Sequence, residues 1–399
     1  LVSVGKAAIP MAEAAAEILG DVLQEGIVVT KKDPKNNQKP FESFPQLVFS
    51  EASHPVPDER SLAAGKKILQ LLEKSAKKDL VIFLISGGGS ALITAPVNGV
   101  SLEDMSALTS LLLGCGAPID ETNTLRRALD RVKGGGLAEA AAPARIVSLL
   151  LSDVVNSPLE AIASGPTVPN PTSNADALAL LKKYNLLEQV PKSILVFLEK
   201  DVQPPRFSFK RAGEGSRVSV IGSNLISAQA AKIQAEKEGF FAEVLTTSLE
   251  GEAAEVGREL GLSLCSGDFS RYARTKVLTT RFSRPFCLIL GGETTVTLGD
   301  AAGFGGRNQE VALAAVKELA GAEKVMLITL ATDGDDGPTD AAGAVVTGET
   351  LARAQALRLD VEEHLCNHDA YPFFAALGDL LKPGMTGTNV NDLIFLFAF

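Results

Sequence analysis

The stretch Asp79–Leu92, DLVIFLISGGGSAL, decides the fold. Val81 to Ile85 form an unbroken apolar run, which predicts a central parallel strand buried on both faces. The run stops in Ser86-Gly87-Gly88-Gly89-Ser90. Three glycines free the backbone for positive φ and let a ligand approach without a Cβ in the way. A strand ending in such a loop presents N–H groups and hydroxyls at the carboxyl edge of a sheet, where open α/β folds bind ligands. An anion such as a phosphate is the natural guest. The loop is neither a Walker GxxxxGK[ST] nor a dinucleotide GxGxxG, so neither mechanism transfers to it. A tight turn with no ligand is the alternative.

Working outward, 399 residues allow two or three domains with substantial cores. With 46% hydrophobic and 22% charged residues the composition is that of an ordinary globular protein. A net charge of −10 and no basic stripe argue against nucleic-acid binding. No apolar run reaches membrane-spanning length, so no membrane partner is expected. Cys115, Cys265, Cys287 and Cys366 lack CxxC spacing and read as reduced thiols of an intracellular protein. Three histidines and no His/Cys cluster leave no structural zinc site to expect. The opening Leu1-Val2-Ser3-Val4 has no initiator Met, so upstream sequence is expected to be missing and targeting is not legible here.

Strands alternate with helices along the chain. Leu1–Val4 precedes an alanine-rich helix over 7–24 that Gly26 should stop, and Asp58 should cap a helix over 59–74. Further strands are expected at 27–30, 47–50, 145–151, 218–221, 242–246, 286–290, 295–298, 325–330 and 392–397. Polar, Pro-rich 31–44, the linker 201–217 and aperiodic 266–284 read as loops. The expected architecture is α/β: two three-layer α/β/α domains with mostly parallel sheets, the first Rossmann-like. Residues 1–205 form the first domain and 215–399 the second.

Ligand-type turns recur at five strand ends: Gly5-Lys6, Ser86–Ser90, Ser152-Asp153, Gly291–Thr294 and Ala331–Asp333. Lys6 and Arg307 are cations on glycine-flanked turns, as a phosphate clamp requires. Asp153, Asp333 and Glu293 follow apolar strands, where a carboxylate can hold Mg²⁺ or accept a hydroxyl proton. Ser86, Ser90, Thr294 and Asn389 suit hydrogen bonding to a small polyol acid. Asp335, Asp336 and Asp340 form no EF-hand and read as solvated turn residues, while Arg127 and Lys133 read equally well as surface charge. His54, before Pro55, reads as structural.

Together the motifs resemble the two-domain glycerate kinases of the MOFRL class, essentially from end to end. The resemblance rests on Val4–Ala8, Ser53–Asp58, Leu84–Ala91, Leu125–Arg131 with Lys133-Gly134-Gly135, and Leu151–Val154 with Ile162–Thr167. It continues through Gly291–Glu293, Gly305–Glu310, Thr332–Gly343 and Thr386–Asp392, and is strongest toward the animal branch in Ser148–Val155 and Met385–Asn391. Asn156 departs from it, standing where the family often has Gly.

The resemblance implies transfer of the ATP γ-phosphoryl group to D-glycerate with Mg²⁺, usually giving 2-phosphoglycerate, in a cleft between the domains. It places the MOFRL-type segment at about 285–399 and lets the family's N-terminal region reach about 245. Lys6, Asp153, Arg307 and Asp333 carry over as functional positions, with Asp153 and Asp333 as metal ligands. The matching motifs further imply cofactor binding by Ser86, Gly87, Gly88, Gly89, Ser90, Lys133, Ser164, Gly165, Gly292, Glu293, Asn308, Glu310 and Asn389. A cytoplasmic rather than mitochondrial protein, open to homo-oligomer formation, is expected. Phosphorylation at the 3-hydroxyl, a hydroxy-acid dehydrogenase and a non-enzymatic sugar-acid binding protein are the alternatives.

Overall fold

The computed structural model describes residues 1–32, 41–200, 207–208, 212–272, 284–299 and 303–399. The loops expected over 31–44, 201–217 and 266–284 fall largely outside the described residues. Contacts divide the chain into two compact units, Leu1–Ile221 and Gly222–Phe399.

The first unit is built on β1 (Val2–Val4), β2 (Gly26–Lys31), β3 (Leu47–Ala52), β4 (Leu80–Ile85), β5 (Arg145–Leu151) and β6 (Arg217–Gly222). They lie in the order β3-β2-β1-β4-β5-β6, and the pairs β1/β2, β1/β4, β2/β3 and β4/β5 are parallel. This is the order of a doubly wound sheet, whose direction of winding reverses between β1 and β4. Period-2 alternation sends Val2, Val4, Phe83 and Ile85 to one face, against Ala64, Ile68 and Leu72 of helix Glu59–Leu72. Val28 and Leu84 go to the other face, against Ala8, Ala12 and Ala16 of helix Ala8–Leu19. The Val81–Ile85 run is thus covered on both sides, as its composition demands, while Leu80 at the start of the strand stays exposed.

Asp58 caps helix Glu59–Leu72 through the N–H groups of Arg60 and Ser61. The first helix is shorter than expected. It turns at Gly20, where φ is 51°, and Gly26 instead opens β2. Four helices, Leu102–Gly114, Ile119–Leu129, Asn174–Lys183 and Lys192–Leu198, enclose a separate apolar core of their own. β6 stands at the edge of this first sheet rather than opening the second one.

The second unit contains β7 (Phe241–Leu249), β8 (Phe286–Gly292), β9 (Val325–Ala331), β10 (Gly343–Thr347), β11 (Leu380–Leu381) and β12 (Asp392–Ala398), ordered β11-β10-β9-β12-β8-β7. Helices Ala253–Ser266, Arg307–Ala315, Val361–Cys366 and Ala370–Leu377 cover one face, and helix Asn224–Lys237 the other.

The α/β/α layering holds here, but the parallel direction does not. Among the described residues of this unit only β7 and β8 run parallel; β12 enters antiparallel between β8 and β9, and β10 is antiparallel to β9 and β11. An apolar run records burial and not direction, so the composition of Leu393–Phe397 carried no sign of this. The strand expected at 295–298 reduces to one bridge, Glu252 to Thr295.

Candidate active site

In the first unit the winding reversal brings the ends of β1 and β4 together. Ser86 N–H donates to the Val4 carbonyl (2.9 Å) and Lys6 N–H to the Gly87 carbonyl (2.9 Å), which splices the Gly5-Lys6 turn to the glycine loop. The Ser86 hydroxyl accepts from Ala7 N–H at 3.0 Å. Gly88 sits at φ 82°, a left-handed conformation that side chains disfavour. At Gly87 the constraint is space: a Cβ there would overlap the Asp153 carboxylate. Asp153 therefore lies on the loop, as its position just past β5 suggested.

The electrostatics of this cluster are uneven. Burial raises the Asp153 carboxyl above its usual range, and the Lys6 charge only partly opposes that. His54 lies against the Gly88 position, and burial followed by the charge of Lys6 lowers its pKa. Lys6 is exposed, and among the described residues no side-chain ion pair engages it. On the far side of the loop, the Ser90 hydroxyl lies 2.7 Å from that of Ser164, which donates to Asn123 Oδ1 at 2.8 Å. Ser164 and Gly165 both have left-handed φ, at 62°. Asn156 is left-handed too (φ 60°), which is the conformation a glycine at that position would supply.

Two residues read as surface charge are buried. Lys133 is 5% exposed, ion-pairs with Asp130, and donates to the Ile93 carbonyl at 3.1 Å. Arg127 is 7% exposed and donates to Asn170, the Glu160 carbonyl and Thr124. Burial explains both, since a buried cation must use every donor it has.

In the second unit the antiparallel insertion of β12 sets its first residue, Asp392, beside Gly292 at the end of β8 and Ala331 at the end of β9. Arg307, the first residue of its helix, meets it there. Its Nε and Nη2 donate to the two Asp392 oxygens at 2.6 and 3.0 Å, and Nη1 donates to Glu293 at 2.7 Å. Burial lowers the Arg307 pKa, but the Asp392 and Glu293 carboxylates outweigh it and raise it further.

The next residues of that helix turn inward. Asn308 and Gln309 donate to Asp336, the latter through its N–H at 2.9 Å. Asp336 is 2% exposed, contrary to the solvated turn residue expected, and burial with the Asp392 charge raises it to about 7. Glu310 is buried and meets His368 Nδ1 at 2.9 Å; burial raises its carboxyl. Glu293, Arg307, Glu310, Asp336 and His368 line a cavity of about 460 Å³. Asp333 stands beside it in sequence order, held by Asn389 Nδ2 at 3.2 Å and by Thr386 N–H on its carbonyl.

The turns expected to carry ligands thus assemble into two clusters, one in each unit. Sequence reasoning missed Asp392, Asp336 and His368. Asp392 carried a usable signal, an acid at the mouth of an apolar strand, whereas His368 had none.

Among the described residues no cluster of three or more His, Cys, Asp or Glu side chains is arranged to enclose a metal, and no helix is long and apolar enough to cross a membrane.

Residues 1–199 match a domain of unknown function (DUF4147), and residues 286–392 match the MOFRL family. The chain is 42% identical to the D-glycerate 2-kinase of Thermotoga maritima, covering 99% of this chain and 89% of that one. It is 39% identical to the human glycerate kinase, covering 100% and 84%, so overall identity sets the bacterial relative slightly nearer than the animal one. A solved structure of a Thermotoga maritima glycerate kinase aligns with TM-score 0.88 at 41% identity, over 100% of this chain and 91% of that one. The chain belongs to the two-domain glycerate kinase family.

Proposed function

We propose that the chain transfers the γ-phosphoryl group of ATP to D-glycerate, giving 2-phosphoglycerate. The observation that carries this is the pairing, at the first unit's glycine loop, of an exposed, uncommitted Lys6 with an Asp153 whose carboxyl burial has raised. A cation without a protein partner suits a phosphoryl oxygen, and a carboxylate of raised pKa suits a hydroxyl proton. The glycerate oxygen attacks phosphorus, the bond to the β-phosphate oxygen breaks, and ADP leaves. The hydroxyl proton passes to Asp153.

Catalysis of this kind rests on positioning and charge neutralisation. Loop N–H groups and Lys6 hold phosphoryl oxygens. In the second unit Arg307 is the cation that suits a phosphoryl oxygen, Glu293 being the more exposed of its two carboxylate partners. Mg²⁺ takes only one or two protein carboxylates when phosphates and water complete its octahedron; with the proton on Asp153, Asp333 is the carboxylate that would hold it. When bound, the metal neutralises phosphate charge.

The test is ADP release with and without D-glycerate and Mg²⁺, with the product identified by phosphorus NMR. Glycerate-dependent ADP release with a 2-phosphoglycerate signal is the expected result. A 3-phosphoglycerate signal would move the reaction to the other hydroxyl. Hydroxypyruvate-dependent oxidation of NADH without ADP release would replace the reading by the dehydrogenase alternative, and glycerate binding without either turnover by the binding-protein one.

A further inference from the structure

Behind the Ser90 end of the glycine loop lies a small cavity of about 20 Å³. Its polar lining is Ser90, Thr94, Ser106, Thr109, Arg126 and Lys133, and among the described residues no carboxylate lines it. Four of these groups are already used: Lys133 is matched by Asp130, the Thr94 hydroxyl donates to the same carboxylate at 2.6 Å, Ser90 is bonded to Ser164, and the Thr109 hydroxyl donates to the Met105 carbonyl at 2.8 Å. Arg126 is not. It is half-buried, and among the described residues nothing hydrogen-bonds or ion-pairs with it. Burial lowers its pKa, with only the more distant Asp130 charge opposing. A guanidinium taken out of water without a carboxylate is an expensive arrangement unless a ligand completes it.

Arg126 is also fixed relative to the loop. It lies one turn from Asn123 on helix Ile119–Leu129, so both share a face. Asn123 is the end of the chain Ser90–Ser164–Asn123 that ties the loop to that helix. The neighbouring Arg127 points elsewhere, to Asn170 and Glu160. The volume sets the size of the guest. A cavity needs roughly 10–15 Å³ to hold one water, so this one takes one or two oxygens and not a phosphate chain.

We infer that Arg126, with the Ser106 hydroxyl beside it in the lining, binds the carboxylate of the acid substrate and selects glycerate over neutral polyols. This rests on the kinase reading above, and it adds the residue that recognises the acid end of the substrate. The planar fork of arginine matches a carboxylate in two parallel hydrogen bonds, which lysine cannot reproduce.

The experiment measures KM and kcat for D-glycerate and ATP, and calorimetric Kd values for D-glycerate and D-glyceramide, in the wild type, Arg126→Met and Arg126→Lys. Arg126→Met should raise the glycerate KM and Kd at least tenfold, leave the ATP KM within twofold, and abolish the wild type's preference for glycerate over glyceramide. Arg126→Lys should recover part of the loss. Unchanged glycerate affinity in a folded Arg126→Met overturns the assignment while the kinase reading stands. A rise confined to the ATP KM overturns it in favour of a phosphate site. Should Arg126→Met not fold, a threefold or greater rise of glycerate KM in Arg126→Lys supports the assignment and an unchanged KM overturns it. A wild type that neither binds nor phosphorylates glycerate defeats the kinase reading, and this assignment with it.

Discussion

The two clusters at the sheet edges use the same ingredients, glycine turns, one cation and buried carboxylate, to opposite effect. At the loop after β4 the cation is exposed Lys6, and the nearest acid, Asp153, is raised in pKa by burial and not locked to it in an ion pair. At the end of β8 the cation is Arg307, and its fork is already filled by Asp392 and Glu293. The first cluster is held open by backbone: N–H to carbonyl bonds position the loop and leave the side chains free. The second is held by its own charges, so structure and function draw on the same groups there. Substitutions should therefore separate activity from stability in the first cluster and move them together in the second.

The largest effect is expected at Gly87. A Cβ at this position collides with the Asp153 carboxylate, and the loop backbone cannot retreat without losing the Lys6 N–H bond to the Gly87 carbonyl. Gly87→Ala should lower kcat/KM at least about 100-fold, equivalent to about 2.7 kcal/mol of barrier, while circular dichroism still reports a folded chain. Near-normal kinetics would reduce the loop to a turn.

Next comes Asp392→Asn. Breaking a fully buried ion pair costs about 3–5 kcal/mol, but the Arg307 side chain is 31% exposed. A loss of about 2 kcal/mol in urea unfolding is the expected outcome after discounting for that solvent access. Turnover should fall in parallel, because the guanidinium loses the partner that orients it. An Asp392→Asn protein of unchanged stability would show that Arg307 is not held as described. Lys6→Ala is the counterpart in the first cluster: turnover should drop about tenfold, near 1.4 kcal/mol, with the unfolding midpoint unmoved. A matching loss of stability there would erase the distinction between the clusters.

The first cluster was legible in sequence because every part of it follows directly from a strand. Parallel strands end at one edge, so a residue just past Val4, Ile85 or Leu151 must emerge there, and Lys6, Ser86 and Asp153 do. The second was only half legible for the corresponding reason. Glu293 was found by the same rule and Arg307 as a cation on a glycine-flanked turn, but Asp392 opens its strand, and only an antiparallel β12 brings the start of a strand to the edge where β8 and β9 end. Asp336 was misread because its neighbours Gly334, Asp335 and Gly337 look like a solvated turn. The turn is solvated in part, yet this one carboxylate folds back under the helix start to accept from Gln309. Local composition could not report that, since the partner lies 27 positions away.

Asp336 bears on stability rather than turnover, and its effect is spread over a pH range. Burial raises its carboxyl from 3.8 to about 7, with the Asp392 charge adding to that and the Gln309 N–H opposing it. The folded chain thus keeps a proton that the unfolded chain releases between about pH 4 and pH 7. Stability from this group is fully present below about pH 4 and is lost as pH rises through about 7, by at most about 1.4 kcal/mol per pH unit. Asp153 and Glu310 are raised in the same direction, so the wild-type slope alone does not isolate Asp336. Asp336→Asn does: it keeps an oxygen for the Gln309 N–H and removes the titration. The difference in unfolding free energy between wild type and Asp336→Asn should drift in favour of the variant from pH 5 to pH 8. A difference that stays flat over this range would mean that Asp336 is ionised throughout, and that the second cluster carries one more negative charge around Arg307 than its burial allows.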